Sequence, residues 1–124
     1  MKFRKMMGVT AAFLCAALAL SGCGSTDETA YRIGIVQQDE HSSLDAATQG
    51  FEDKLMELLG EENVTFDYQN AQGEQANCTT IATKFVSDGC DLILANGTTA
   101  LQSAAAATAD IPIVGTSVTD YIAA

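Results

Sequence analysis

Asp91-Leu92-Ile93-Leu94-Ala95-Asn96 is a nearly continuous apolar run of strand length, followed at once by Gly97-Thr98-Thr99 and an alanine-rich stretch, Ala100 to Ala107. A strand that is apolar at successive positions, rather than at every second one, fits burial on both faces. Such burial is typical of a central strand in a parallel sheet. The run therefore predicts a sheet with helices above and below it, and the flanking sequence can be read against that expectation.

Upstream, Cys78, Ile81, Ala82, Phe85 and Val86 recur at helical spacing, and Gly89 is placed to stop that helix. Before it, Val64-Thr65-Phe66-Asp67-Tyr68 alternates apolar and polar residues. Alternation of this kind predicts an edge or half-exposed strand. Gln69 to Gly73 reads as the loop after it. Further upstream, Leu44, Ala47, Phe51, Leu55, Leu58 and Leu59 mark another helix, with Ser42 or Ser43 as N-cap and Gly60 at its end. Gly50 lies inside this helix at a cost of about 1 kcal/mol relative to alanine, which close packing against a sheet would explain. Tyr31 to Gln37 reads as the first strand. Downstream, Ile111-Pro112-Ile113-Val114-Gly115 reads as a fourth, with its proline near the start, where the missing N–H is tolerated.

The resulting order, β-α-β-α-β-α-β with short loops, predicts an α/β fold: a parallel sheet with helices on both faces and right-handed crossovers. In such folds ligands sit beyond the carboxyl ends of the strands. Four loops belong there: Gln37 to Ser43, Gln69 to Gly73, Asn96 to Thr99 and Thr116 to Asp120.

The N-terminus reads differently. Lys2, Arg4 and Lys5 precede an apolar run, Val9 to Leu20, and no acid occurs before Asp27. Spanning a bilayer takes about 20 apolar residues, so this run is short for a membrane helix and suits the core of a signal peptide. It ends in Leu20-Ser21-Gly22-Cys23, the pattern of a bacterial lipobox. A peptidase needs small residues beside its cut, and a thiol accepts the diacylglycerol. Residues 1–22 are thus read as a lipoprotein signal peptide, Cys23 as the lipidation site, and 23–30 as a flexible tether.

From Cys23 onward the chain keeps three basic residues (Arg32, Lys54, Lys84) and all 16 acids, a formal charge of −13. That field repels phosphate backbones and anionic headgroups, which excludes nucleic acid as a partner and leaves the lipid on Cys23 as the membrane attachment. With Cys15 in the signal and Cys23 lipidated, Cys78 and Cys90 remain. A helix between them would hold them beyond the ~7 Å reach of a disulfide, so both are read as small buried apolar groups. His41 is the sole histidine and no Cys-x-x-Cys pair occurs, so no metal site is expected.

The four loops carry hydroxyls and amides, not a catalytic set. Gly-x-Ser-x-Gly, Gly-x-Gly-x-x-Gly and Walker-type motifs are all missing, and no catalytic residue or cofactor is expected. Thr98 and Thr99, like Ser42 and Ser43, open helices, whose free N–H groups favour carboxylates. Gln38, His41, Ser42, Thr98, Thr99, Thr116 and Ser117 are the candidate ligand-binding residues, suited to a small anionic or zwitterionic solute.

Several stretches together resemble a known family: Ile33-Gly34-Ile35-Val36-Gln37, Glu40-His41-Ser42-Ser43-Leu44-Asp45-Ala46-Ala47, Gly50-Phe51, Val64 through Gly73, Asp91 through Ala95, and Asp110 through Val114. The chain from Tyr31 to about Asp120 resembles the substrate-binding lipoproteins of bacterial ABC transporters of the tryptophan and tyrosine type. Tyr68-Gln69-Asn70-Ala71-Gln72-Gly73 is the most specific stretch. The resemblance implies a two-lobed, periplasmic-binding-protein-like (type I) fold that closes on its ligand, a small and often aromatic amino acid as solute, and the importer's permease subunits as partners. Ser42 and Tyr121 stand where the family commonly has proline, and Asn96-Gly97 also departs from its pattern. On this reading residues 31–124 are a truncated, partial N-terminal lobe, with weak or no ligand binding by this chain alone. A ligand-sensing lipoprotein coupled to a membrane signalling protein, or a flavodoxin-like enzyme, are the alternatives.

Overall fold

The computed structural model describes residues 30–124; the expected signal peptide, Cys23 and nearly all of the tether lie outside them. Four strands and three α-helices alternate. They are β1 (Tyr31–Gln37), α1 (Ser42–Leu59), β2 (Val64–Asn70), α2 (Gln75–Ser87), β3 (Leu92–Asn96), α3 (Thr98–Ala107) and β4 (Ile113–Thr116), with a single 3-10 turn, Glu61–Asn63, ahead of β2. The strands form one sheet in the order β2-β1-β3-β4, and every pairing is parallel. Ile35 at the centre pairs with Tyr68 on one side and Leu94 on the other, and Leu94 pairs in turn with Val114.

Burial follows from this order. β1 and β3 are central, and Ile35, Val36, Ile93, Leu94 and Ala95 are all but inaccessible to water. One face of the sheet packs Val36, Ile93 and Ala95 against Cys78 and Phe85 of α2 and Ala100 and Ala104 of α3. The other packs Ile33, Ile35, Val64 and Leu94 against Phe51, Leu55, Met56 and Leu59 of α1. Two helices thus cover one face and a single helix the other. Under α1 this leaves a cleft of about 400 Å³ at the amino ends of the strands, lined by Tyr31, Ile33, Leu55, Leu59, Asp91 and Leu92.

Several local expectations give way to tertiary context. The cap of α1 is His41, not Ser42 or Ser43: its Nδ1 accepts the Ser43 N–H at 3.2 Å and lies 2.7 Å from the Ser43 hydroxyl. β2 runs on through Gln69 and Asn70, because its parallel pairing to β1 continues to Gln37. α3 begins at Thr98. β4 begins only after Pro112, whose carbonyl still accepts the Ile93 N–H at 3.0 Å. Leu58 is 65% exposed and Met56 takes the inward place instead. Cys78 and Cys90 are free and buried, as expected, and burial pushes both thiols up.

A surface network fastens α2 to the sheet edge. Lys84 Nζ donates to Asp67 Oδ2 of β2 and to Asp88 Oδ2 at 2.7 Å. The bond from Lys84 holds the Asp67 carboxyl below its ordinary value. That contribution is present above the unfolded carboxylate's titration and is lost as the pH falls through the folded one.

Two glycines invite opposite predictions. A Cβ on Gly34 would lie 2.6 Å from the Phe85 ring, so β1 is bare here to let α2 approach. Gly50, by contrast, meets nothing within 4 Å, and the expected packing reason for it is absent. Chemical denaturation should show Gly34→Ala destabilised by roughly 1–3 kcal/mol through overpacking. Gly50→Ala should be stabilised by roughly 0.5–1 kcal/mol through helix propensity.

Candidate functional site

Because all four strands run the same way, their carboxyl ends share one rim, and hydrogen bonds join the loops that leave it. The Gln38 N–H donates to the Asn96 carbonyl at 2.9 Å, carrying β1's pairing into its loop. Gly73 N–H donates to the Gln38 carbonyl at 2.8 Å, and Gly97 N–H to the Thr116 carbonyl at 2.9 Å. The loops after β1, β2, β3 and β4 are therefore one connected edge.

Gln38 is the hub. Its side-chain oxygen accepts the Thr99 N–H at 2.9 Å, capping α3 from another loop. The Gln38 side chain lies across Gly97, where a Cβ would come within 2.6 Å of Oε1 and 2.7 Å of its Cβ. Gly97 also has φ +117, a conformation that side chains other than hydrogen rarely adopt. The sequence Asn96-Gly97 thus exists to bring Gln38 against the start of α3. Leu101 N–H closes the first helical bond, to Gly97. Among the described residues the Thr98 N–H has no hydrogen-bond partner and is half-buried, so the positive end of α3 retains a donor at the rim, whereas Ala100 is fully buried in the core.

The other candidates fall into two groups. Thr98 Oγ1 lies 3.2 Å from Thr119 Oγ1 and accepts the Thr119 N–H at 3.3 Å, tying α3 to the loop after β4. Thr116 ends β4 and contributes its carbonyl to Gly97. Ser117 follows with φ +57, a left-handed backbone uncommon outside glycine, and its side chain is exposed. Gln38, Thr98, Thr99 and Thr116 are thus brought together. His41 and Ser42 sit at the start of α1, both exposed, and His41 is occupied in capping that helix.

Sequence reasoning missed the layer directly beneath the rim. Gln37 and Asn96, the last residues of β1 and β3, are fully buried, and Thr48 of α1 is 6% exposed. Thr48 Oγ1 donates to Gln37 Oε1 at 2.8 Å. Asn96 Nδ2 donates to Thr48 Oγ1 at 3.0 Å and to the Leu44 carbonyl at 2.8 Å. Gln37 Nε2 donates to Asp45 Oδ1 at 2.7 Å and to the Asp39 carbonyl at 2.8 Å. This knot fixes α1 and the Asp39 turn to both central strands. Its signal was available: each central strand ends in an amide, where an apolar run would otherwise continue.

Comparison with known proteins follows the same lines. The family model described as ABC transporter substrate binding protein matches residues 32–124. A tyrosine-binding protein of Clostridioides difficile is 38% identical over 99% of this chain, which spans 40% of that protein's length. The ligand-free, open structure of a substrate binding protein with adhesive properties from Clostridium difficile superposes with a TM-score of 0.72 at 44% identity, covering 75% of this chain and 32% of its own. A Streptococcus pneumonia ABC domain in complex with L-Trp gives 0.71 at 34% identity, again over 75% of this chain and 32% of its own. These relatives are binding proteins, in accord with a site built of donors and hydroxyls in place of a catalytic set.

Thr48→Val keeps the shape and removes the hydroxyl that joins Gln37 to Asn96. It leaves buried polar groups short of partners and should cost about 1–3 kcal/mol in denaturant unfolding. Hydrogen exchange should show faster opening at Asp39 and Gly97 than at α2.

Proposed function

The chain belongs to the ABC transporter substrate binding protein family, and on that premise we propose that it captures a small amino acid outside the cytoplasm for an ABC importer. The observation that carries this reading is the joined rim: the unclaimed Thr98 N–H at the start of α3, flanked by the Gln38 amide and the hydroxyls of Thr98, Thr116 and Ser117. Helix N-terminal N–H groups suit a carboxylate, and side-chain oxygens beside them suit an ammonium group. His41 and Ser42, on the same rim, would bound the site at the start of α1. An aromatic amino acid such as tyrosine or tryptophan is the proposed solute, by analogy with the tyrosine-binding relative and the L-Trp complex. Binding is reversible and involves no covalent step.

The rim offers one wall of a cleft. The chain spans 40% of the tyrosine-binding relative's length, and in this reading further chain of the kind the relatives carry supplies the opposite wall. Cys23, modified by lipid, would keep the receptor beside the importer's permease subunits.

Titrating the isotopically labelled protein with L-tyrosine and L-tryptophan tests the site even when affinity is poor, near a Kd of ~1 mM. Amide shifts should concentrate at Gln38, Thr98, Thr99, Thr116 and Ser117, and Gln38→Ala should abolish them. Shifts at the opposite end of the strands, or none at saturation of the amino acid, would refute the proposal. For the anchor, Cys23→Ser should move the protein from the membrane to the soluble fraction of a lipoprotein-processing host. Unchanged membrane association would contradict lipid attachment.

A further inference from the structure

Asn96-Gly97 joins β3 to α3, and it combines two opposed properties. The chain has asparagine at positions 63, 70, 77 and 96, and Asn96 alone is followed by glycine; valine, alanine and cysteine follow the others. A peptide nitrogen can attack the side-chain amide carbon of the asparagine before it. A glycine nitrogen does so most readily, because no side chain shields it. By sequence Asn96 is thus the most reactive asparagine. By structure it is the most protected: it is fully buried, whereas Asn63 and Asn70 are half-buried and Asn77 is exposed.

The fold holds the reacting atoms apart. Asn96 is the last residue of β3, paired with Gln37 on one side and Thr116 on the other. In an extended residue, with ψ about +115°, Cβ and the next nitrogen lie well separated around the Cα–C bond, and ring closure needs them eclipsed. The Gly97 N–H, which must give up its proton to attack, is held by the Thr116 carbonyl at 2.9 Å. The leaving nitrogen, Asn96 Nδ2, is held by the Leu44 carbonyl at 2.8 Å and by Thr48 Oγ1 at 3.0 Å. Asn96 Oδ1 meets no donor among the described residues, so none of them polarises the carbonyl under attack.

We infer that Asn96-Gly97 is a deamidation site gated by the fold: inert while the rim is closed, reactive when it opens, and unable to rebuild the rim once converted. In the opened chain the Gly97 nitrogen bonds to Asn96 Cγ, and its proton leaves with Nδ2 as ammonia. The product is a cyclic succinimide. Water then adds across either C–N bond of the ring, which restores an open chain as aspartate or as isoaspartate. Neither product fits the site. An ionised carboxyl has no hydrogen for the Leu44 carbonyl or Thr48, and it would be a buried charge without a cation. Arg32 is engaged by the Asp88 carbonyl, Lys54 by Glu57, and Lys84 by Asp67 and Asp88. Isoaspartate also lengthens the main chain by a carbon, which displaces Gly97 from Thr116 and from the Gln38 side chain. The modification does not depend on which solute the rim takes.

The test follows Asn96 by peptide mapping and mass spectrometry in warm, mildly alkaline buffer, with and without urea. In urea Asn96 should convert ahead of Asn63, Asn70 and Asn77. In the folded protein it should convert at least about a hundredfold more slowly, since modification tracks the population of the open form. Thr48→Val, which loosens the layer under the rim, should raise the folded-state rate about tenfold; Gly50→Ala should not raise it. Returned to native conditions, the converted chain should lack the native amide signals of Gln38, Gly97 and Thr116. Equal rates with and without urea, or an unchanged rate in Thr48→Val, would show that the rim does not gate the reaction. No conversion in urea would show an unreactive site, and native rim signals after conversion a harmless product. Each of these results overturns the inference.

Discussion

Parallel pairing of β1 on both of its edges is the constraint from which the rest follows. β1 is flanked by β2 and β3 in register, with Ile33 opposite Phe66 and Leu92, and Ile35 opposite Tyr68 and Leu94. Side chains alternate across a strand, so a slip of one residue would exchange the faces. Ile33 and Ile35 would leave α1, and Gln37 would be turned toward the apolar α2–α3 face. The register therefore sets which helix each strand meets. It also sends every strand's carboxyl end to the same rim, where Gln38, Gly97 and Thr116 can bond to one another. A single register thus positions both the core and the loops.

The polar knot beneath the rim reinforces that register. Gln37 and Asn96 face each other as partners at the last paired position of β1 and β3, and Thr48 joins them from α1. Buried amide N–H groups are costly unless satisfied, and those of Gln37 and Asn96 all find acceptors only when both strands and the helix are correctly placed. Apolar packing would tolerate small displacements that this arrangement does not. It holds the start of the Gln38 loop and the start of α3 as a rigid pair, which suits a surface that must present donors at fixed positions.

Much of this was legible in the sequence, and the reasons are specific. The apolar run Leu92 to Ala95 marked a central strand because both of its faces are covered, and the alternation from Val64 to Tyr68 marked an edge. Helix stripes were read correctly where a helix buries a broad face, as in Cys78, Ala82 and Phe85 of α2. They failed at Leu58, since α1 alone covers its face of the sheet and buries only a narrow stripe. His41 escaped recognition as a cap because propensity favours serine, while its ring nitrogen can accept the same N–H. The extension of β2 through Asn70 is dictated by β1, not by local residues. Of the candidate site, Gln38, Thr98, Thr99 and Thr116 were found as loop residues. The interlocking of Gln38 with Gly97 and the polar knot are long-range arrangements with no local pattern.

The account rests on one rim shared by four strand ends, and interproton contacts measured by NMR on the folded protein test that most directly. The account predicts contacts between the Gln38 amide and Asn96, between the Ala71 amide and Gln37, and between the Gly97 amide and Thr116, together with Leu94 beside both Ile35 and Val114. Contacts that instead place the beginning of β1 or β4 beside the end of β3 would mean antiparallel pairing. The loops would then lie at opposite ends of the sheet, and no common site could form.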